Sequence, residues 1–215
     1  MLELYAFITT IELTDNEDYY QWELDGKVSK VFKTGDVYSY LRGDLQTMSW
    51  AKVIWFPHAI PRHSFNAWIM NLNRSPTRDR LLSWGLQVDS SCLLCNSNNE
   101  TRDHLYFDCT FSFDLWSQLA RRCRIRPYRS WNQTIAQLEN LQSPKSTRLL
   151  TLLVWQAALY WLWNERNARL HSGVFRSVDV ILTLIDRQVR NKIQSFRETS
   201  PSLASRMLQR WFETP

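Results

Sequence analysis

The chain has 215 residues and a mass of 25.7 kDa, room for one or two small domains with real cores. Eleven Trp within a 44% hydrophobic composition exclude a disordered chain, because each indole buries a large apolar area. The net charge of +5 is uneven: residues 1–116 hold ten Lys/Arg against fifteen Asp/Glu, and residues 117–215 hold sixteen against six. Only the C-terminal half is therefore suited to meet a polyanion, and solvated basic helix faces account for the same excess without one.

The first thirteen residues are apolar but lack a basic start and carry Glu3 and Glu12, so they make a poor secretion signal. Alternation over 4–13 predicts a strand. Tyr19–Leu24 and Val28–Phe32 flank Asp25-Gly26, a strong two-residue hairpin signal. Thr34 is placed to cap a helix over 35–42 that sets Val37, Tyr38 and Leu41 on one side. This hairpin reads as a lid, a docking edge or a small satellite of the core. A short helix over Trp50–Phe56 presents Trp50, Val53 and Ile54, and Pro57–Pro61 breaks it. The next helix, 62–73, carries Phe65, Trp68, Ile69 and Leu72 at helical spacing and should bury that stripe. His63 has no nucleophile or partner in the sequence and reads as structural. Thr77 caps a helix ending at Trp84, with Gly85 at the C′ position. Arg78 and Arg80 on it are either backbone contacts for a nucleic acid or a solvated face.

Cys92, Cys95, His104 and Cys109 follow in the pattern C-x2-C-x8-H-x4-C. Three soft thiolates and one imidazole within eighteen residues suit a closed tetrahedral zinc site. Thr101 is placed to cap a short helix through Phe107 that turns His104 inward. Bound zinc would carry a net charge of −1 with these ligands, which backbone N–H groups, helped by Arg102, should offset. Three buried cysteines beside an unrelated histidine is the plain alternative. Cys123 lies outside the set as a buried thiol or, in place of His104, a fourth ligand. With one zinc and no cysteine pairs left over for disulfides, the expected compartment is reducing and intracellular, nucleus or cytoplasm.

Beyond the ligands, a helix over 113–124 sets Leu115, Trp116 and Leu119 inward. Its tail brings Arg121, Arg122, Arg124, Arg126 and Arg129 together with Tyr128 and Trp131. Cations mixed with aromatic rings suit phosphate contact plus base stacking, so these seven are the expected nucleic-acid surface. Trp131–Leu141 reads as a helix. A long helix over Ser146–His171 is apolar on most faces in its first half and belongs at the core's centre, its run Leu149–Trp163 being too short to span a bilayer. Its second half pairs Glu165 with Arg169 at i, i+4. Val178–Glu198 is a second long helix with Val180, Ile181, Leu184, Ile185 and Val189 inward and Arg187, Arg190, Lys192 and Arg197 outward. Pro201 opens a last helix to Phe212.

Taken in order, these residues resemble the zinc-binding domain found downstream of the polymerase in non-LTR (LINE-type) retrotransposon reverse transcriptases, abundant in plant genomes. The resemblance rests on Trp55, on Pro61 to Phe65, on Trp68 and on Pro76 to Leu81 with Gly85. It continues through the ligands with Glu100, Thr101, Leu105, Phe107, Phe111 and Trp116. Trp22 with Asp25 and Gly26 before it, and Trp163 to Arg169 after it, extend the similarity over roughly 20–175. The eight residues between Cys95 and His104 differ from the four of a retroviral zinc knuckle, so knuckle-style RNA recognition does not carry over.

Catalytic equipment is missing. There is no Asp-Asp pair to hold two polymerase metals, no set of convergent carboxylates for a ribonuclease H, no Gly-rich phosphate loop among five glycines and no Ser nucleophile elbow. A start at Met1 inside a longer ancestral reading frame fits that loss. The expected protein is mainly α: a helical domain around a small structural zinc module, with a short N-terminal β-hairpin. Expected boundaries are 1–48 for the hairpin extension, 49–131 for the zinc-binding domain and 132–215 for the basic helical region. The expected role is non-catalytic, with weak, sequence-tolerant contact to RNA or single-stranded DNA, a reverse transcriptase polymerase domain as a partner in trans and no membrane. A stand-alone helical remnant without nucleic-acid binding is the competing expectation.

Overall fold

A computed structural model describes residues 9–10, 17, 19–43 and 46–213, and the chain divides into two units, 1–47 and 48–215. The strand predicted over 4–13 lies outside the described residues apart from Thr9 and Thr10, which form a turn.

In the first unit β1 (Trp22–Leu24) pairs antiparallel with β2 (Lys27–Ser29), Trp22 facing Ser29 across the ladder. Asp25 and Gly26 both take positive φ, 53° and 70°, as a two-residue turn matched to strand twist requires. Trp22 packs on Phe32 with ring centroids 4.5 Å apart. Helix α1 spans Thr34–Arg42, but Lys33 occupies its N-cap position, so Thr34 is the first helical residue and not the cap. Of the side expected to carry Val37, Tyr38 and Leu41, Val37 is half-buried, while Tyr38 is exposed by 66% and Leu41 by 76%. Two strands of three residues offer too little surface to cover a helix.

The second unit is built around α7 (Lys145–Ser172), whose residues Leu149–Leu159 are buried on every face. Helices α2 (Ala51–Ile54), α3 (Pro61–Asn71), α5 (Thr110–Cys123), α8 (Val178–Gln194) and α9 (Pro201–Phe212) pack on it. Helix α6 (Trp131–Glu139) closes over α2. A helix surrounded in this way gains from an apolar surface all round, which is why its first half shows no clear polar face. Trp116, Trp131, Trp155 and Trp211 are among its largest fully buried side chains. No helix among the described residues is long and apolar enough to cross a membrane. This unit takes in both the segment 49–131 and the segment 132–215.

Local signals act as expected at several ends. Helix α4 (Arg78–Ser83) stops at Gly85, whose φ of +83° only glycine adopts freely. Ser177 caps α8 by accepting the Val180 N–H, and Pro201 stands in the first turn of α9. One face is corrected. Helix α3 buries His63, Ser64, Ala67 and Met70, while Phe65, expected inside, is 57% exposed. Burial of the two polar residues is possible because each finds a partner. Ser64 donates to Gln156 Oε1 at 3.3 Å, and Gln156 Nε2 donates to the Ile54 carbonyl at 2.8 Å. His63 stacks on Tyr160 at 4.2 Å and its Nε2 meets Gln188 Nε2 at 3.1 Å.

Burial, and secondarily the Arg62 charge, push the His63 pKa from 6.5 down to about 3. The unfolded chain therefore takes up a proton near pH 6.5 that the native chain refuses, and stability is lost as pH falls from 6.5 towards 3. Between pH 7.5 and 5.0 this amounts to about 2 kcal/mol. Urea unfolding of the wild type and of His63→Asn at the two pH values should show the variant losing about 2 kcal/mol less over that interval. Equal losses would mean that His63 is protonated in the native state.

Candidate metal centre

The backbone between Ser90 and Glu100 folds back on itself. Ser91 and Asn99 form an antiparallel bridge, Cys92 N–H donates to the Asn98 carbonyl at 2.7 Å, and Glu100 N–H to that of Ser90 at 2.8 Å. Asn96 closes the turn in the left-handed region, φ 54°, with its N–H on the Cys92 carbonyl at 2.7 Å. Asparagine tolerates that conformation better than most residues. The result sets Cys92 and Cys95 on one side of a tight knuckle.

The other two ligands flank a π-helical turn, His104–Asp108: His104 is its first residue and Cys109 follows its last. Thr101 Oγ1 accepts the His104 N–H at 3.1 Å, the expected cap, but the turn it starts is wider than an α-helix. Cys109 N–H reaches back five residues to the His104 carbonyl at 2.7 Å. A π-turn carries an extra residue per turn, which suits it to functional sites. Here it lets residues five apart serve one point.

The ligand atoms of Cys92, Cys95, His104 and Cys109 all lie within 4.8 Å of one another. Cys92 and Cys109 sulfurs are 4.0 Å apart, and Cys95 Sγ lies 3.3 Å from His104 Nε2. A zinc tetrahedron with bonds of about 2.0–2.3 Å has edges of about 3.5–3.8 Å, so the donor set fits that ion. The other ring nitrogen, His104 Nδ1, faces the Asp108 carboxylate at 3.7 Å, leaving Nε2 turned to the thiols. Four protein ligands leave no open position for water, and zinc bound here supplies a structural cross-link.

Two thiols receive backbone N–H groups. Leu94 N–H donates to Cys92 Sγ at 3.4 Å, and Cys95 N–H also supports it. Cys109 stands at the N-cap of α5, where the Phe111 and Ser112 N–H groups point at its sulfur. The Cys92 thiol as donor, with those amides, pulls the Cys109 pKa down to about 5, and donation together with burial raises that of Cys92. Amides thus meet the negative charge as expected, but Arg102 does not. Arg102 pairs with Asp103 at 2.7 Å and lies over the Trp131 ring, 4.7 Å from its centroid.

A clamp from the far end of α7 holds the knuckle, and sequence reasoning missed most of it. Glu100 is fully buried, and Arg166 grips its carboxylate with Nη2 at 2.8 Å and Nε at 3.1 Å. The same carboxylate accepts the Arg78 N–H at 3.1 Å and the Leu93 N–H at 3.3 Å. Arg169, held by Glu165 at 2.8 Å, donates to the carbonyls of Leu93 at 3.2 Å and Leu94 at 2.7 Å. Its guanidinium lies 4.6 Å from the Phe111 ring centroid. The i, i+4 spacing of Glu165 and Arg169 was the visible signal, but nothing in it pointed to residues 93 and 94. Arg78, left open as a nucleic-acid contact, instead joins this assembly through the Ser91 carbonyl and Asp89.

The seven residues expected to bind nucleic acid do not form one open surface. Trp131 is 2% exposed, its N–H on Asn71 Oδ1 at 3.2 Å and its ring packed on Tyr106, Phe107 and Trp155. No face is free for a base, which corrects its assignment. Arg129 donates to the Asp108 carbonyl at 3.0 Å and lies over the Phe113 ring. Arg122 lies over Trp211 and 3.4 Å from Asp186, and Arg124 is 3.7 Å from Glu213. Arg121, Arg124, Arg126 and Arg129 are all exposed, Arg121 and Arg126 without an ion pair among the described residues and Arg126 beside Tyr128. Cys123 is buried on α5, outside the ligand cluster, and burial pushes its thiol up to about 12. It is no substitute for His104.

Residues 32–116 match the family model described as zinc-binding in reverse transcriptase. All four clustered ligands and Glu100 lie inside the match, while Arg166 and Arg169 lie outside it. No curated protein and no solved structure matched the chain.

Purified protein should hold one zinc per chain, and Cys95→Ser should lose it, as elemental analysis and a chelator melt will show. Unchanged melting in chelator would exclude a structural metal here. Arg166→Gln should destabilise the fold by about 3–5 kcal/mol, because it strands the Glu100 carboxylate in the interior. Zinc affinity should fall with it, roughly 10–100-fold, in a competition titration.

Proposed function

We propose that this chain, whose residues 32–116 carry the zinc-binding domain of reverse transcriptases, is a non-catalytic, zinc-organised module that assists nucleic-acid contact. The observation that carries the reading is the closed donor set Cys92, Cys95, His104 and Cys109, clamped by Glu100 and Arg166. Such a site shapes a surface and offers no vacancy for substrate. The absence of an Asp-Asp pair from the sequence supports the non-catalytic part. The excess of sixteen Lys/Arg over six Asp/Glu in residues 117–215 supports the nucleic-acid part. Partners are RNA or single-stranded DNA, bound weakly and without sequence preference, and a polymerase domain in trans. An intracellular, reducing setting, nucleus or cytoplasm, suits four free cysteines and a thiolate-rich site. The retrotransposon origin rests on the motifs that flank the ligands.

A second reading is favoured by one observation: Arg122, Arg124 and Arg129 spend their charge on Asp186, Glu213 and Asp108. On that reading the chain is a helical remnant whose arginines serve its own fold. Fluorescence anisotropy with single-stranded oligo(U) and oligo(dT) at 50 and 200 mM salt separates the two. The nucleic-acid reading expects a log–log slope of about −2 to −3, from three or four neutralised phosphates at roughly −0.7 each. Flat, salt-insensitive signals would leave the remnant. Primer extension with Mg2+ or Mn2+ should yield no product, and incorporation that survives rigorous purification would overturn the non-catalytic assignment.

A further inference from the structure

The helical period of α8 sorts its basic residues onto different sides. Ile181, Ile185, Val189 and Ile193 form the buried stripe. Asp186 and Arg190 lie to one side, paired at 2.7 Å. On the other side Arg187, Gln188 and Lys192 line a shallow, open groove of about 460 Å³ together with Arg62 at the start of α3 and Trp161 of α7.

Three features of this groove point to an anion. Arg62, Arg187 and Lys192 line it, and no Asp or Glu is among its lining residues. None of the three belongs to an ion pair among the described residues, unlike Arg122, Arg124, Arg129 and Arg190. Cations gathered without a counter-charge repel one another, and a polyanion relieves that repulsion. Its lining is also held rigid. Trp161 Nε1 donates to Gln188 Oε1 at 2.7 Å, which fixes the amide so that Gln188 Nε2 donates to His63 Nε2 at 3.1 Å. His63 is buried beneath and neutral, so it neither adds to nor screens the charge above it.

Spacing then favours a strand over a small ion. Arg187 and Lys192 are five residues apart, about 7.5 Å along the helix axis. That is close to the rise of two nucleotides in a stacked strand, at about 3.4 Å each. A single phosphate would be served by side chains meeting at one point. We propose that the groove formed by Arg62, Arg187 and Lys192 over Trp161 and Gln188 binds the phosphate backbone of a single-stranded nucleic acid, a proposal that rests on the nucleic-acid reading above. It moves the centre of binding from the arginine stretch that starts in the last turn of α5 to the α3–α8 side of the second unit.

The test compares the full chain with three triple variants by anisotropy on oligo(U) and oligo(dT), each variant first shown to keep the wild-type circular dichroism and zinc content. Arg62→Gln with Arg187→Gln and Lys192→Gln opens the groove. Arg74→Gln with Arg197→Gln and Arg206→Gln removes the same charge from exposed positions elsewhere. Arg121→Gln with Arg122→Gln and Arg124→Gln samples the earlier candidate stretch. The groove variant should bind at least about ten-fold more weakly at 50 mM salt, with a log–log slope flatter by about 2. The variant at Arg74, Arg197 and Arg206 should stay within about two-fold of wild type. Equal losses in those two variants would reduce the effect to net charge and overturn the groove. Loss only in the variant at Arg121, Arg122 and Arg124 would also overturn it while leaving the nucleic-acid reading in place. A wild type that binds neither strand would overturn both. Preference for oligo(U) or for oligo(dT) in the wild type identifies RNA or DNA as the source of the strand.

Discussion

Glu100 and Arg166 each carry a full charge into the interior, and neither is tolerable there alone. Their contact at 2.8 Å sets how the zinc lobe sits on the central helix, because any shift of one element along the other would leave a buried carboxylate unpaired. A buried ion pair of this kind adds little net stability over well-packed hydrophobic residues. What it adds here is register. The carboxylate also collects the Arg78 and Leu93 N–H groups, so α4, the cysteine knuckle and α7 meet at one side chain. Arg166 lies outside the segment that matches the zinc-binding family, yet the knuckle within that segment depends on it. The metal-binding segment and the C-terminal helices are therefore one structural unit. Leu105, Tyr106 and Phe107, each within 1% of full burial, follow from the same arrangement, since the π-turn that carries them packs against both α5 and α7.

Around the metal ligands the negative charge is met by dipoles and not by cations. The amides of Leu94 and Cys95 serve Cys92, and those of Phe111 and Ser112 serve Cys109 from a helix N-terminus. The nearby guanidinium of Arg169 does a different task, binding the carbonyls of Leu93 and Leu94. Arginine suits that place because its planar fork reaches two carbonyls and a carboxylate while stacking on an aromatic ring. Backbone donors thus serve the thiols, and Arg169 serves the carbonyls of Leu93 and Leu94.

The same sorting explains why net charge is a coarse guide to binding in this chain. Of the sixteen basic residues in 117–215, Arg122, Arg124, Arg129, Arg166, Arg169, Arg176, Arg190 and Arg210 have an acidic partner within 4.0 Å. They hold helices and loops together. Arg187, three residues before Arg190, and Lys192, two after it, have none among the described residues and share a groove with Arg62 from the N-terminal half. Basic and aromatic residues mixed along a stretch such as 121–131 look like a nucleic-acid surface whether the rings are open or, as with Trp131, enclosed.

What the sequence alone determined is whatever depends on neighbours along the chain. The ligand spacing of Cys92, Cys95, His104 and Cys109, the turn at Asp25 and Gly26, the stop at Gly85, the i, i+4 pair of Glu165 and Arg169 and the enclosed helix after Ser146 are all local patterns, and each stands in the fold. What only the tertiary structure decided is every choice that needs a distant partner. Helix α3 buries His63 and Ser64 where Gln188, 125 residues away, meets the His63 Nε2 and Gln156, 92 residues away, accepts from the Ser64 hydroxyl. Trp131 is enclosed because Tyr106, Phe107 and Trp155 surround it, and Arg102 lies over it instead of turning to the sulfurs. The π-turn was hidden for a related reason: a regular helix satisfies the same residues locally, and the wider turn is selected only because His104 and Cys109 must reach one point. Periodicity records which side chains share a face, but a polar or charged side chain enters the core only when a remote partner removes the cost of desolvation, and that partner is not written beside it.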